Sequence, residues 1–170
     1  MRALVLVAHP DDCVIWAKAY MDAHPEHGWT ITYLTHWRFH KRGREIARYW
    51  RKRNVPVRFL GFKDHGRDLG LGGLHTWSEK EAVRVLQRAT EGYDLILTHG
   101  EEGEYGHPHH CVIHKAVNDL PQAKVYFSQE PTDIAFPVKI ELDELPRHRA
   151  SIEIHARDTA YYKELFEWLD

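Results

Sequence analysis

Short apolar runs in this chain alternate with segments patterned as helices, and that alternation restricts the fold more than any other feature. Leu4 to Ala8 is a nearly continuous apolar run that stops at the turn-like His9-Pro10-Asp11-Asp12, which is how a strand buried on both faces reads. Val14, Ile15, Ala17, Ala19, Tyr20 and Met21 then suit a helix closed by His24-Pro25-Glu26-His27-Gly28, and Thr30 to Thr35 is a run of strand formers. A second helix is expected over Gly43 to Arg53, ending before Val55-Pro56, with a third strand over Val57 to Phe62. Lys63 to Trp77 carries Gly66, Gly70, Gly72 and Gly73 and reads as a loop long enough to be functional. Ser78 and Glu81 have the spacing of a capping box ahead of Val83, Val85 and Leu86. Leu95 to Thr98 reads as a fourth strand and His99 to Tyr105 as a polar loop. Pro108 sits in the first turn of a helix running to about Asn118. Lys124 to Phe127 and Val138 to Leu142 read as further strands, and Thr159 to Leu169 as a closing helix. The expectation is an α/β fold: a doubly wound, mostly parallel sheet with helices on both faces, whose ligands bind beyond the carboxyl ends of the strands.

A chain of 170 residues fits one domain, 1–170, around one sheet. Its 23 basic and 25 acidic residues leave a net charge of −2, which argues against a protein that grips nucleic acid over its whole surface. Cys13 and Cys111 are the only cysteines, too few for a disulfide framework, and point to a reducing compartment; the cytoplasm is the expected location. The opening MRALVLVAHPDD has an apolar run too short for a signal-peptide core, and no other stretch approaches a bilayer span, so no membrane span is expected.

Histidine is over-represented, at 14 residues, and much of it is clustered. His9, Asp11 and Asp12 offer an imidazole and two carboxylates directly after the first strand. His107, His109, His110 and His114 follow the fourth, on a helix start where residues three or four apart share a face. In a doubly wound sheet the first and fourth strands are neighbours at the switch point, so the clusters should meet there. Two imidazoles and one carboxylate with an open fourth position make a common catalytic zinc set. The competing reading has Asp11 or Asp12 merely capping the following helix while the later histidines are solvated. Cys111, flanked by Val112 and Ile113, reads as core.

Ala8-His9-Pro10-Asp11-Asp12, followed much later by Gly103-Glu104-Tyr105-Gly106-His107-Pro108-His109-His110, resembles the paired motifs of the PIG-L/LmbE-like family of zinc-dependent N-deacetylases. Weaker echoes are Arg42 to Glu45 and Phe59-Leu60-Gly61-Phe62-Lys63-Asp64. The resemblance implies a Rossmann-like fold and removal of an acetyl group from an N-acetylglucosamine-type sugar or conjugate. It implies one Zn2+ per chain, or another divalent metal, held by His9, Asp12 and His110. Asp11 would be the general base on a zinc-bound water, His107 the general acid that also helps hold the oxyanion, and Tyr105 a contact to the amide carbonyl. Arg42 and Asp64 would bind substrate, a small N-acetylated molecule that Arg42 suits to a phosphate or sugar hydroxyl. The chain departs from the family pattern at Cys13, where the family usually has Glu, and at His109, where it usually has Asp or Gln. It is also short for the family, so a smaller lid or a partner subunit, as in a homo-oligomer, would complete the pocket.

Two other readings stay open. Nine of the 23 basic residues fall between Arg38 and Arg58, so the chain could instead be a nucleic-acid-binding module with a structural metal site, although a solvated helix face accounts for most of these side chains. The third reading keeps the metal but changes the bond, to an amide in a nucleoside or peptide.

Overall fold

A computed structural model describes residues 1–64, 77–127 and 140–158. Its centre is a five-stranded, all-parallel sheet in the order β3-β2-β1-β4-β5. The strands are β1 (Arg2–Val7), β2 (Gly28–Thr35), β3 (Val57–Phe62), β4 (Leu95–Thr98) and β5 (Ala123–Tyr126). The order steps outward from β1 in both directions, so the chain reverses its winding between β1 and β4 and opens a crevice beyond their carboxyl ends. This is the doubly wound α/β sheet expected from the alternation, and the Rossmann-like fold that the resemblance implies.

Burial follows from the two-residue period of the central strand. Ala3, Val5 and Val7 face one core together with Val14, Ile15, Ile31, Tyr33, Ile46, Tyr49, Trp50 and Ile152. Leu4, Leu6 and Ala8 face the other, with Ala82, Leu86, Val112, Ile113 and Val117. Each fully buried aliphatic side chain contributes about 1.5–3 kcal/mol, and β1, buried on both faces, draws on both layers. Helices therefore cover both faces, α2 (Lys41–Arg51) and α6 (Arg149–Asp158) on the first, α3 (Glu79–Ala89) and α5 (Pro108–Val117) on the second.

The serine half of the capping box forms: the Glu81 amide donates to Ser78 Oγ at 3.3 Å and starts α3. The second helix begins at Lys41, two residues ahead of the expected Gly43. Gly43 lies under the Trp37 carbonyl, where a Cβ would collide, so glycine lets the β2–α2 loop fold onto the helix. The first helix is not one regular element. Cys13–Ala17 is a π-helical turn, followed by α1 over Lys18–Ala23; such wide turns often lie at functional sites.

Four expectations need correction or fall outside the described residues. No strand forms at Ile140 and Glu141, and Leu142–Glu144 is a 3₁₀ turn, so the described part of the expected Val138 to Leu142 strand is absent. Cys111 is half-buried rather than core. The closing helix expected over Thr159 to Leu169, and most of the Lys63 to Trp77 loop, lie outside the described residues.

Candidate metal centre

β1 ends at Val7, and the turn beyond it carries His9, Asp11 and Asp12 into the π-helical turn. The Asp12 side chain does not cap that turn. It folds back, and its Oδ2 accepts from the His9 amide at 2.7 Å, which holds the carboxylate inward. On the neighbouring strand, β4 ends at Thr98 and a single helical turn, α4 (Gly103–Gly106), precedes α5. His107 is the N-cap of α5: the His109 amide donates to His107 Nδ1 at 3.2 Å, and Pro108 occupies the first turn. His109 and His110 are buried, so they are not the solvated side chains of the competing reading.

The two clusters meet at the switch point. Asp12 Oδ2 lies 3.2 Å from His9 Nδ1 and 3.3 Å from His110 Nε2, and those two nitrogens are 3.4 Å apart. A tetrahedral ion with bonds of about 2.0–2.1 Å has ligand-to-ligand edges of about 3.3–3.4 Å, so this triangle has the size of a zinc face. The remaining ring nitrogens are engaged elsewhere. His110 Nδ1 lies 2.6 Å from Glu104 Oε2, and His9 Nε2 lies 3.1 Å from His109 Nδ1. Two imidazole nitrogens and a carboxylate oxygen thus lie within 3.4 Å of one another, an arrangement that a positive charge between them stabilises. The electrostatics agree. Burial alone would lower the His110 pKa, but Asp12 and Glu104 beside it push it up to about 9. Burial would likewise raise Asp12, and His110 and His9 hold it well below the usual carboxylate range. A proton or a metal ion answers that demand, and the donor set fits a divalent ion.

Asp11 lies beside this triangle without joining it. Arg42 pairs with its Oδ1 at 2.9 Å, and the Ser151 hydroxyl donates to its Oδ2. Burial works against ionisation, but the Arg42 guanidinium, the His9 imidazole and the Ser151 hydroxyl together outweigh it and keep the Asp11 carboxyl below its ordinary value. Arg42 therefore already has a partner, where the resemblance gave it to the substrate. Asp64 Oδ1 is 3.6 Å from His9 Nε2, and its Oδ2 is 3.9 Å from His36 Nε2. Burial, reinforced by the imidazoles of His9, His110 and His109, holds His107 down to about 2, so its ring is neutral. With Nδ1 accepting from the His109 amide, the ring proton is on Nε2. Tyr105 is 43% exposed, with its ring edge-on to His107 and His110 at 5.8 and 5.4 Å. His114 turns away, its Nδ1 3.3 Å from the His99 carbonyl oxygen.

The sequence assigned no role to His99, Glu104 or Ser151. Glu104 Oε1 accepts from the Gly100 amide at 2.9 Å, while Oε2 takes His99 Nδ1 at 2.7 Å along with His110 Nδ1. Its backbone has φ 60°, a left-handed value that non-glycine residues rarely adopt and that clusters at functional sites. Gly103 before it also has φ +60°, and a Cβ there would meet Cys111 Sγ at 2.9 Å and His110 Cβ at 3.0 Å. His99 Nε2 accepts from the Ala8 amide at 3.1 Å, linking the ends of β1 and β4. A carboxylate behind a metal-facing imidazole fixes its tautomer, and its loss commonly weakens metal binding by about 10–100-fold. Glu104→Gln should show a loss of that size in a chelator competition.

Residues 4–120 match the family described as PIG-L, GlcNAc-PI de-N-acetylase. The fold is similar to that of a triple mutant of a deacetylase of the teicoplanin biosynthetic pathway, at 13% identity and TM-score 0.58, over 91% of this chain and 81% of that one. It is also similar to GalB, the 4-carboxy-2-hydroxymuconate hydratase of Pseudomonas putida KT2440, at 14% identity and TM-score 0.52, over 99% and 82% of the two chains. N,N'-diacetylchitobiose deacetylase from Pyrococcus horikoshii matches at 14% identity and TM-score 0.50, over 99% and 74%. No curated protein sequence matches this chain. Among the described residues no helix is long and apolar enough to cross a membrane.

Proposed function

We propose, from the premise that this chain belongs to the PIG-L family of GlcNAc-PI de-N-acetylases, that it is a zinc-dependent hydrolase removing the acetyl group from an N-acetylglucosamine-type sugar or conjugate. One observation carries the reading: two imidazole nitrogens and a carboxylate oxygen form a zinc-sized triangle, with an ionised second carboxylate beside it. A divalent ion bound there would polarise a water molecule and the substrate's amide carbonyl.

The chain's own residues then have distinct tasks. Asp11, kept ionised by Arg42 and Ser151, takes a proton from the attacking water. Neutral His107 directs its Nε2–H at the carbonyl oxygen as that oxygen gains negative charge. Because His107 starts without a second proton, the general-acid role that the resemblance gave it passes in this proposal to Asp11, whose collected proton goes to the departing amine. The C–N bond breaks, and acetate and the free amine leave. Tyr105 contacts the amide at the mouth, and Asp64 accepts from a sugar hydroxyl.

Arg42→Lys tests the place of the guanidinium. Lysine cannot reproduce the planar fork, and losing a charge-assisted hydrogen bond of about 1.5–3 kcal/mol corresponds to roughly 10–150-fold in rate. The expected change falls mainly on kcat; a rise in KM at constant kcat would return Arg42 to the substrate.

Two adjacent residues of the basic segment bear on the nucleic-acid alternative. Arg53 pairs with Glu141 at 2.7 Å and lies over the Tyr49 ring at 3.6 Å, while Lys52 pairs with Glu144 at 3.0 Å. These charges tie α2 to the 140–144 segment. Neutralising Arg51, Lys52 and Arg53 together should leave acetate release within about twofold of wild type, as expected of groups outside the reacting centre. The deciding experiment incubates the zinc-loaded protein with N-acetylated sugars, sugar nucleotides, nucleosides and peptides and measures acetate and free amine. Release from the sugars supports the proposal, and release confined to nucleosides or peptides moves the substrate to the third reading. Salt-sensitive nucleic-acid binding with no acetate from any compound favours the binding module.

A further inference from the structure

A second group of metal-ligating side chains lies far from the centre, on the turn between α1 and β2. His24 Nδ1 is 3.2 Å from Glu26 Oε1, and His27 Nδ1 is 3.4 Å from the same oxygen. The three donor atoms all lie within 4.8 Å of one another. The two imidazole rings are stacked, with centroids 5.5 Å apart and planes 15° apart.

The His27 Nδ1 nitrogen is left without a hydrogen bond. Its side chain is only 10% exposed, and the nitrogen itself is buried. A proton on that nitrogen meets Glu26 Oε1 at 3.4 Å without hydrogen-bond geometry, and a lone pair there faces a carboxylate; either arrangement leaves part of the desolvation penalty unrecovered. The surroundings hold both rings in place. Tyr20 lies against His24 at 4.4 Å, Trp29 against His27 at 5.5 Å, and the Trp29 indole N–H donates to the His24 carbonyl at 2.9 Å.

We propose that His24, Glu26 and His27 form a second zinc site, with two imidazoles and one carboxylate oxygen from the protein and water completing the shell. The two edges that meet at Glu26 Oε1, 3.2 and 3.4 Å, have the length expected for a tetrahedral zinc, about 3.3 Å. The imidazole pair selects zinc over magnesium or calcium, which prefer oxygen. Gly28 pairs with Arg2 at the amino edge of the sheet, whereas the catalytic cluster follows Val7. Six residues of strand, about 20 Å, therefore separate the sites, and zinc here would brace the entry to β2 without reaching the substrate.

Equilibrium dialysis of the full chain against zinc, followed by metal analysis, tests the site. The wild type should hold one equivalent more than a His24→Gln/His27→Gln variant. Glu26→Gln, which changes an exposed side chain, should weaken that extra equivalent about tenfold or more and keeps the test decisive if the double variant fails to fold. Because the reading is a difference between wild type and variant, it stands or falls whether or not the catalytic centre takes metal. Equal zinc content and affinity in wild type and Glu26→Gln would overturn the proposal and leave an exposed ion pair only.

Discussion

Asp11→Asn is expected to retain metal and to lose about 100- to 10,000-fold in kcat, the usual range for removing a general base. The amide cannot accept a proton, yet it is nearly the same size, so the turn should keep its shape. Asp12 supplies the carboxylate oxygen of the donor triangle and folds back onto the His9 amide, whereas Asp11 faces Arg42 and Ser151. Metal analysis and single-turnover kinetics on Asp11→Asn and Asp12→Asn separate the two. If Asp11→Asn lost the metal while Asp12→Asn kept it and lost only the rate, the roles would be exchanged.

His110→Ala should lose the catalytic metal and, with it, deacetylation. His110 presents Nε2 to both His9 and Asp12 while Glu104 holds Nδ1. Removing it leaves two ligands, too few for a tetrahedral catalytic zinc, and leaves Glu104 with His99 and the Gly100 amide among the described residues. Metal content of the purified variant checks the first consequence and acetate release the second. Glu104→Gln should fall between wild type and His110→Ala, because the ligands remain and only their orientation suffers.

The parts of this centre that were legible in the sequence are those set by local pattern and by topology. Apolar runs marked β1 and β4, the winding of a parallel sheet made them neighbours, and the residues just beyond each run had to meet. His99 lay within reach of that same logic, since it directly follows β4. Glu104 was harder, because its inward turn depends on a left-handed backbone conformation and on Gly103 packing against His110 and Cys111. Ser151 was out of reach: it arrives at Asp11 from α6, 140 residues along the chain, and no spacing rule connects them. Helix α6 itself was missed because its apolar pattern is weak, and Ile152 and Leu145 become core residues only where they pack against the first face of the sheet. Arg42 was assigned to the substrate by the resemblance, but which partner it takes depends on the Asp11 side chain, not on the strand order.

Metal-dependent de-N-acetylation by the His9, Asp12 and His110 cluster is tested most directly by measuring acetate release from the fastest-reacting N-acetylated sugar while chelator-stripped protein is titrated with zinc. The predicted result is no release from stripped wild type, return of activity as zinc is added, and no return in His110→Ala at the same zinc concentration. Undiminished release from the stripped protein, or full recovery of His110→Ala on adding zinc, would contradict it.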